Sequence, residues 1–463
     1  MAGLLVVILS GLVLFAMIVP ACGFNSPNLK DVPGDGAEIP DAPPDVFVHD
    51  AAPCSSLIKT CVTADLLREC QAVATLPTET VCEWGCDETV PNNGRCKVFT
   101  PSGGAVTAQD LDRTAAVAAG LQKRTFTSLV SAGSINTDTG AIQIGADVRA
   151  AGTGVINGVD FKVVNGVGVF RFLELELKGV QDIRVVGSNA LALVGIDRIS
   201  VLDRTQIDMR GNCQGRNAGP GGRMGGAPNN NGSGNGAGGA GDNSGVCSGG
   251  GGAGNSRTGG AGGGRMNAGT TTGTATISML VGGAGGGGGG TGGDGGGGGG
   301  AIQLVSNGQI RFDAGVLSQV GINAGGCGGK SGSCGGGAGA GGAILIEGRT
   351  VDLSDAFFAV NGGGGGGAAN GMSGEMAQVV NRANGGNGGI GPGPNDDGGS
   401  GGAGGDDGAG ANPGMVRDQR GGGGGGGVGW IRINTKSGAF GGGAFFSPGN
   451  PSQSVSTGVA NVQ

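Results

Sequence analysis

The chain has 463 residues, of which 115 are Gly, only 3% are aromatic and none is Tyr. Glycine at this level without a strict Gly-X-Y period excludes collagen, and a net charge of −7 with no basic stripe excludes a nucleic-acid partner. The sole His is His49, which excludes Ser-His and Cys-His nucleophile pairs and His-ligated metals elsewhere in the chain.

Residues 1–22 open with the apolar run Leu4–Val19, short for a membrane span and suited to a signal-peptide core. Val19-Pro20-Ala21-Cys22 follows, and it resembles the lipobox of bacterial lipoproteins, which implies lipidation at Cys22. Removing Cys22 from eleven cysteines leaves ten, an even number that suits paired thiols in an exported protein. Residues 23–53 are rich in Pro and Asp and are expected to be a disordered tether with polyproline II character.

Residues 54–96 hold Cys54, Cys61, Cys70, Cys82, Cys86 and Cys96, and so small a segment needs cross-links. The pairing is open among 15 connectivities. A zinc site has no His there and no paired Cys-x2-Cys spacing to use. Leu67-Arg68-Glu69-Cys70 and Cys82-Glu83-Trp84-Gly85-Cys86 resemble two elements of a Cys module in glycine-rich predicted surface lipoproteins of Gram-negative soil bacteria. That resemblance implies an exported disulfide module on the cell surface and no particular activity.

In the junction 97–139, Thr107-x-x-Asp110 ahead of Leu111, Ala115–Ala119 and Leu121 predicts a capped helix, expected to cover the exposed end of the next domain. From 140 to 450 the apolar residues fall in short alternating pairs, the mark of strands with one face buried. Six units share this pattern: Gly140–Asn165, Gly166–Asn189, Ala190–Asn212, Ala301–Asn323, Ala343–Asn361 and a degenerate Trp430–Asn450. They predict an all-β fold, a right-handed parallel β-helix (solenoid) with one unit per turn. Asn165, Asn189, Asn212, Asn323 and Asn361 close units and are expected to turn corners and stack as a ladder. Ordering a unit costs about 1–2 kcal/mol per residue against about 1.5–3 kcal/mol per buried apolar side chain, so units are stable only when stacked. Residues 451–463 are expected to be a disordered tail.

Three glycine-rich insertions, 213–300, 325–342 and 362–429, each follow a unit's closing strand and precede the next opening strand. They are therefore expected to leave one corner and form one flank. With little side chain to bury, irregular loops are the first expectation; packed polyglycine helices that hydrogen-bond one another are the alternative. Thr270–Val281 has strand composition and suggests a hairpin or partial turn. Cys213 with Cys247 and Cys327 with Cys334 are the sequence-nearest pairs.

Asp203, Arg204, Asp208, Arg210, Asp313, Asp352 and Asp355 are the candidates for polysaccharide cleavage on a β-helix, and their spacing favours solvated surface charge. Asp396-Asp397 and Asp406-Asp407 offer oxygen ligands for Ca2+ without the repeated β-roll pattern, of which Gly292-Gly293-Asp294 is a fragment. No catalytic, cofactor or metal site emerges. The expectation is a non-enzymatic lipoprotein of the outer membrane or cell surface, or a secreted protein. It would be structural or adhesive, with a membrane partner through the lipid and polysaccharide or surface proteins as further partners. The alternative is a carbohydrate-active or polysaccharide-binding β-helix.

Overall fold

The computed structural model describes residues 54, 56–128, 132–180, 182–210, 212–315, 319–379, 381–391, 393, 396–406, 410–449 and 452–463. Residues 1–53, with Cys22 and His49, lie outside them.

From residue 123 onward the chain alternates between two sheets. The long sheet takes β1 (Lys123–Thr127), β3 (Val167–Lys178), β5 (Ala190–Leu202), β7 (Ala301–Asp313), β9 (Ala343–Ser354), β11 (Trp430–Thr435) and β13 (Val455–Val459). The short sheet takes β2 (Gly133–Asn136), β4 (Ile183–Val186), β6 (Gln206–Asp208), β8 (Val320–Asn323), β10 (Ala356–Ala359) and β12 (Phe445–Ser447). Neighbours in this alternation pair in parallel throughout. The protein is thus nearly all-β and built on two parallel sheets.

Period-two alternation aims one set of side chains at the space between the sheets. Phe170, Leu193, Leu304, Ile346 and Ile433 occupy one register column, and Leu177, Val201, Phe312 and Leu353 another. On the short sheet Ile183, Ile207, Ile322, Phe358 and Phe446 form the facing column. The columns meet in one apolar core, where Phe358 packs edge-on to Phe312 at 5.0 Å. Like residues stack because each position repeats the packing problem of the strand before it.

The outward alternate of the long sheet is also apolar: Val169, Ala192, Val194, Val305 and Leu345 are buried there. Trp84, Phe99, Val106, Leu111, Ile277 and Leu280 cover them. Trp84 stacks on Phe99 at 4.3 Å and donates from Nε1 to Asn307 Oδ1 at 3.2 Å, so the disulfide module is docked on the sheet. Its bonds are Cys54–Cys70, Cys61–Cys86 and Cys82–Cys96.

Several expectations are corrected. Gly140–Asn165 is not a parallel turn: it forms antiparallel strands 142–144 with 147–149 and 154–156 with 159–164. Asn157-Gly158 and Asn165-Gly166 all have positive φ, the combination a tight two-residue hairpin requires, and it reverses the chain where a corner was expected. Arg149, 1% exposed, ties these hairpins by donating to the carbonyls of Gly140, Ala150, Gly152, Gly154 and Val159.

The capping box of Thr107 and Asp110 forms, leading a 3-10 turn at Ala108–Leu111 and then α1 (Arg113–Ala118). This helix lies against the outward face of β5 through Ala116, Leu121 and Ile196 rather than over the end of the stack. Residues 452–463 are not a loose tail: β13 extends the long sheet, and Gln463 and Val98 exchange backbone hydrogen bonds.

The closing asparagines form no ladder among the described residues. Asn165 bonds Gly104, Asn189 bonds Asp138, and Asn361 bonds Gln378 and Ser447, because the insertions and turns at each corner supply nearer partners.

Candidate functional site

The glycine insertions are ordered and pack together against the two-sheet core, which corrects the expectation of irregular loops. Residues 334–342, which lead directly into β9, lie at their centre and are buried. Their amides cycle through three partners in steps of three residues. Gly335, Ala338 and Gly341 donate to Gly421, Gly424 and Gly427; Gly336, Gly339 and Gly342 donate to Lys330, Cys327 and Ala324; Gly337 and Ala340 donate to Gly287 and Ala284. Their carbonyls accept from Gly250 and Ala253, from Gly363 and Gly366, and from Gly296 and Gly299. All these bonds span 2.8–3.1 Å.

A three-residue period with no internal hydrogen bonds is the geometry of a polyproline-II-type helix. Here the missing internal bonds are replaced by lateral ones to six neighbouring segments, a hexagonal arrangement. Residues 421–429, which lead into β11, are equally enclosed and bond to 250–253, 260–263, 335–341, 363–366, 402–405 and 412–415.

Side chains have no room in this lattice. A Cβ on Gly335 would lie 1.9 Å from Gly366 O, on Gly339 2.0 Å from Gly297 O, and on Gly424 2.0 Å from Gly260 O. At such positions the Hα points at a carbonyl, a Cα–H···O contact that adds to the lateral bonds. Methyl groups fit only in small gaps, as where Ala253, Ala284 and Ala340 meet.

One lateral bond per residue contributes about 0.5–1.5 kcal/mol net against about 1–2 kcal/mol of backbone entropy, so the lattice depends on anchors. The strands at its base and two disulfides supply them. Those bonds are Cys213–Cys327 and Cys247–Cys334, which corrects the sequence-nearest pairing. Each joins the first insertion to the second, because packing sets 213 beside 327 and 247 beside 334.

The acidic candidates are spread over both sheets, with Asp208 on the short sheet, Asp313 and Asp352 on the long one, and the amide of Asp203 donating to the carbonyl of Asp313. Asp208 forms a two-pronged ion pair with Arg210, from Nε at 2.9 Å and Nη2 at 3.1 Å. Asp313 pairs with Arg311, and Asp203 lies 3.6 Å from Lys178. Asp352 accepts from Ser354 Oγ at 2.9 Å. Asp203, Arg204 and Asp355 have left-handed φ and serve turns. Asp182, which the spacing did not single out, has its carboxyl pushed up by burial and then by the charge of Asp208, with Arg184 and Arg210 opposing.

In the third insertion Asp396 pairs with Arg420 at 3.1 Å and Asp397 with Arg417 at 3.0 Å. The carbonyl of Asp294 accepts from the amide of Lys330. No group of three or more His, Cys, Asp or Glu side chains suited to a metal occurs among the described residues. Asp406 has a partner, and Asp407 lies outside the described residues.

Two concavities among the described residues bear on a site. One groove of about 470 Å3 is lined by Gly385, Gly386, Gly401 and Gly402 together with Met372 and Met415, among others. The other, about 510 Å3, lies where the glycine lattice meets the long sheet, lined by Arg223, Asn235, Thr274, Ser278, Met279 and Trp430 among others. Thr270–Val281, expected as a hairpin, forms turns with no strand, and its Ile277 and Leu280 seal the sheet face. That loop fixes Trp430, whose Nε1 donates to Thr272 O at 2.9 Å.

No family model, curated protein or solved structure matches the chain.

Proposed function

We propose that this is an exported, non-enzymatic protein of the bacterial cell envelope, a surface lipoprotein held through Cys22, whose work is adhesive or structural. In this reading the alternating parallel strands are turns of a right-handed β-helix, and that helix carries the glycine lattice as a rigid display surface. The single observation that supports it best is the enclosure of 334–342 by six hydrogen-bonded neighbours. So much ordered backbone, lacking titratable groups inside it, is material for a stiff surface and not for acid–base chemistry. The five disulfides are consistent with export, and the ion-paired carboxylates favour surface charge over hydrolysis.

The test is an intact mass of the protein extracted from membranes, together with adhesion of cells carrying or lacking the gene. The expected result is a lipid-bearing chain starting at Cys22 and reduced adhesion on deletion. A lipid-free soluble chain with unchanged adhesion would overturn the proposal.

A further inference from the structure

We infer that the cleft at Trp430 binds an acidic saccharide. The inference deepens the reading of an exported adhesive protein and rests on it for biological sense, since envelope and matrix polymers are what such a surface meets.

The walls decide the ligand class. Arg223 is exposed, and its guanidinium has no hydrogen-bond or ion-pair partner among the described residues. No carboxylate lines the cleft, so the unpaired cation stands ready for an anion, and a carboxylate matches the guanidinium fork. Asn235 and Ser278 are exposed and their side chains make no hydrogen bond among the described residues, which leaves an amide and a hydroxyl for ligand hydroxyls.

Trp430 and Met279 add apolar surface, and the indole is held in place by its bond to Thr272 O. A ligand that presents one carboxylate, several hydroxyls and apolar C–H faces is a uronic acid unit. The volume of about 510 Å3 is within the usual range for a small-ligand site.

The whole mature protein, disulfides intact, is titrated calorimetrically with a short oligogalacturonate, a neutral oligosaccharide of equal length, and polyphosphate. Binding of the uronate alone is expected, with Arg223→Ala weakening it by about tenfold or more and Asn235→Ala by less. Arg184→Ala, on the exposed face of β4, is expected to leave it unchanged. Absence of uronate binding, equal binding of the neutral sugar or of polyphosphate, or indifference to Arg223→Ala would each overturn the inference. Because the measurement is made in solution, such a failure leaves the lipid anchor and envelope location standing, and a lipid-free chain leaves the cleft's binding standing.

Discussion

A Cβ on Gly337 would lie 2.0 Å from the carbonyl oxygen of Gly251, a backbone atom of a different helix that has no freedom to swing aside. Position 337 is therefore closed to the smallest side chain, although Ala338 and Ala340 of the same segment fit. Gly337→Ala is expected to destabilise the protein by about 1–3 kcal/mol, the usual cost of overpacking. Gly443→Ala, where a Cβ meets nothing within 4 Å, should stay within about 0.5 kcal/mol of wild type. Thermal melts of the two variants compare them directly, and equal melting would mean that the lattice yields.

Peptide mapping without reduction should recover Cys213 linked to Cys327 and Cys247 linked to Cys334. Replacing either pair by Ser is expected to cost about 2–5 kcal/mol, read by denaturant titration. Recovery of Cys213–Cys247 would contradict the packing of the first insertion against the second.

Glu347 is fully buried on the outward face of β9, where it accepts from Ser102 N at 3.0 Å and from Gln303 Nε2 and Asn434 Nδ2, each at 2.8 Å. Burial pushes its carboxyl up, and these three donors only partly oppose the shift. A carboxyl raised in the folded state holds more protons than the unfolded chain does. Its contribution is therefore complete below the ordinary Glu value and is lost as pH rises through the folded value. Glu347→Gln should remove this loss, so its melting temperature relative to wild type is expected to climb as pH rises from about 4.5. A difference that stays flat with pH would refute the assignment.

The buried guanidinium of Arg149 holds five carbonyls of the hairpins at 140–159. Arg149→Met keeps the bulk and removes every donor. A loss of about 3–5 kcal/mol is expected, the scale for stripping a buried charged group from its partners, with faster amide exchange in those hairpins as the local signature.

The strands β5 and β7 to β10 were legible because each position stacks on its like: the alternation in 301–323 and 343–361 is the register column itself. The hairpins at 142–164 were not, because alternation is the same for parallel and antiparallel strands, and the deciding signal was the Asn-Gly pair at 157–158. The lattice was legible only as an alternative. Glycine runs carry no side-chain pattern, so which amide meets which carbonyl depends on partners far along the chain, as between Gly424 and Gly250, 174 residues apart. Cysteine pairing followed from that packing and was equally hidden. Of the cleft residues, Arg223 is one exposed Arg among many in the sequence, and only the tertiary position of Trp430 beside it marks the place.

The lateral bonds of 334–342 also set a reading frame for the chain. Since residues three apart address the same neighbour, deleting one glycine turns every later amide by a third of a revolution, toward a different helix. Deleting three shortens the segment and keeps each address. A change of length that keeps every lateral bond must therefore be a multiple of three, a constraint imposed by symmetry about the helix axis and independent of which residues are present.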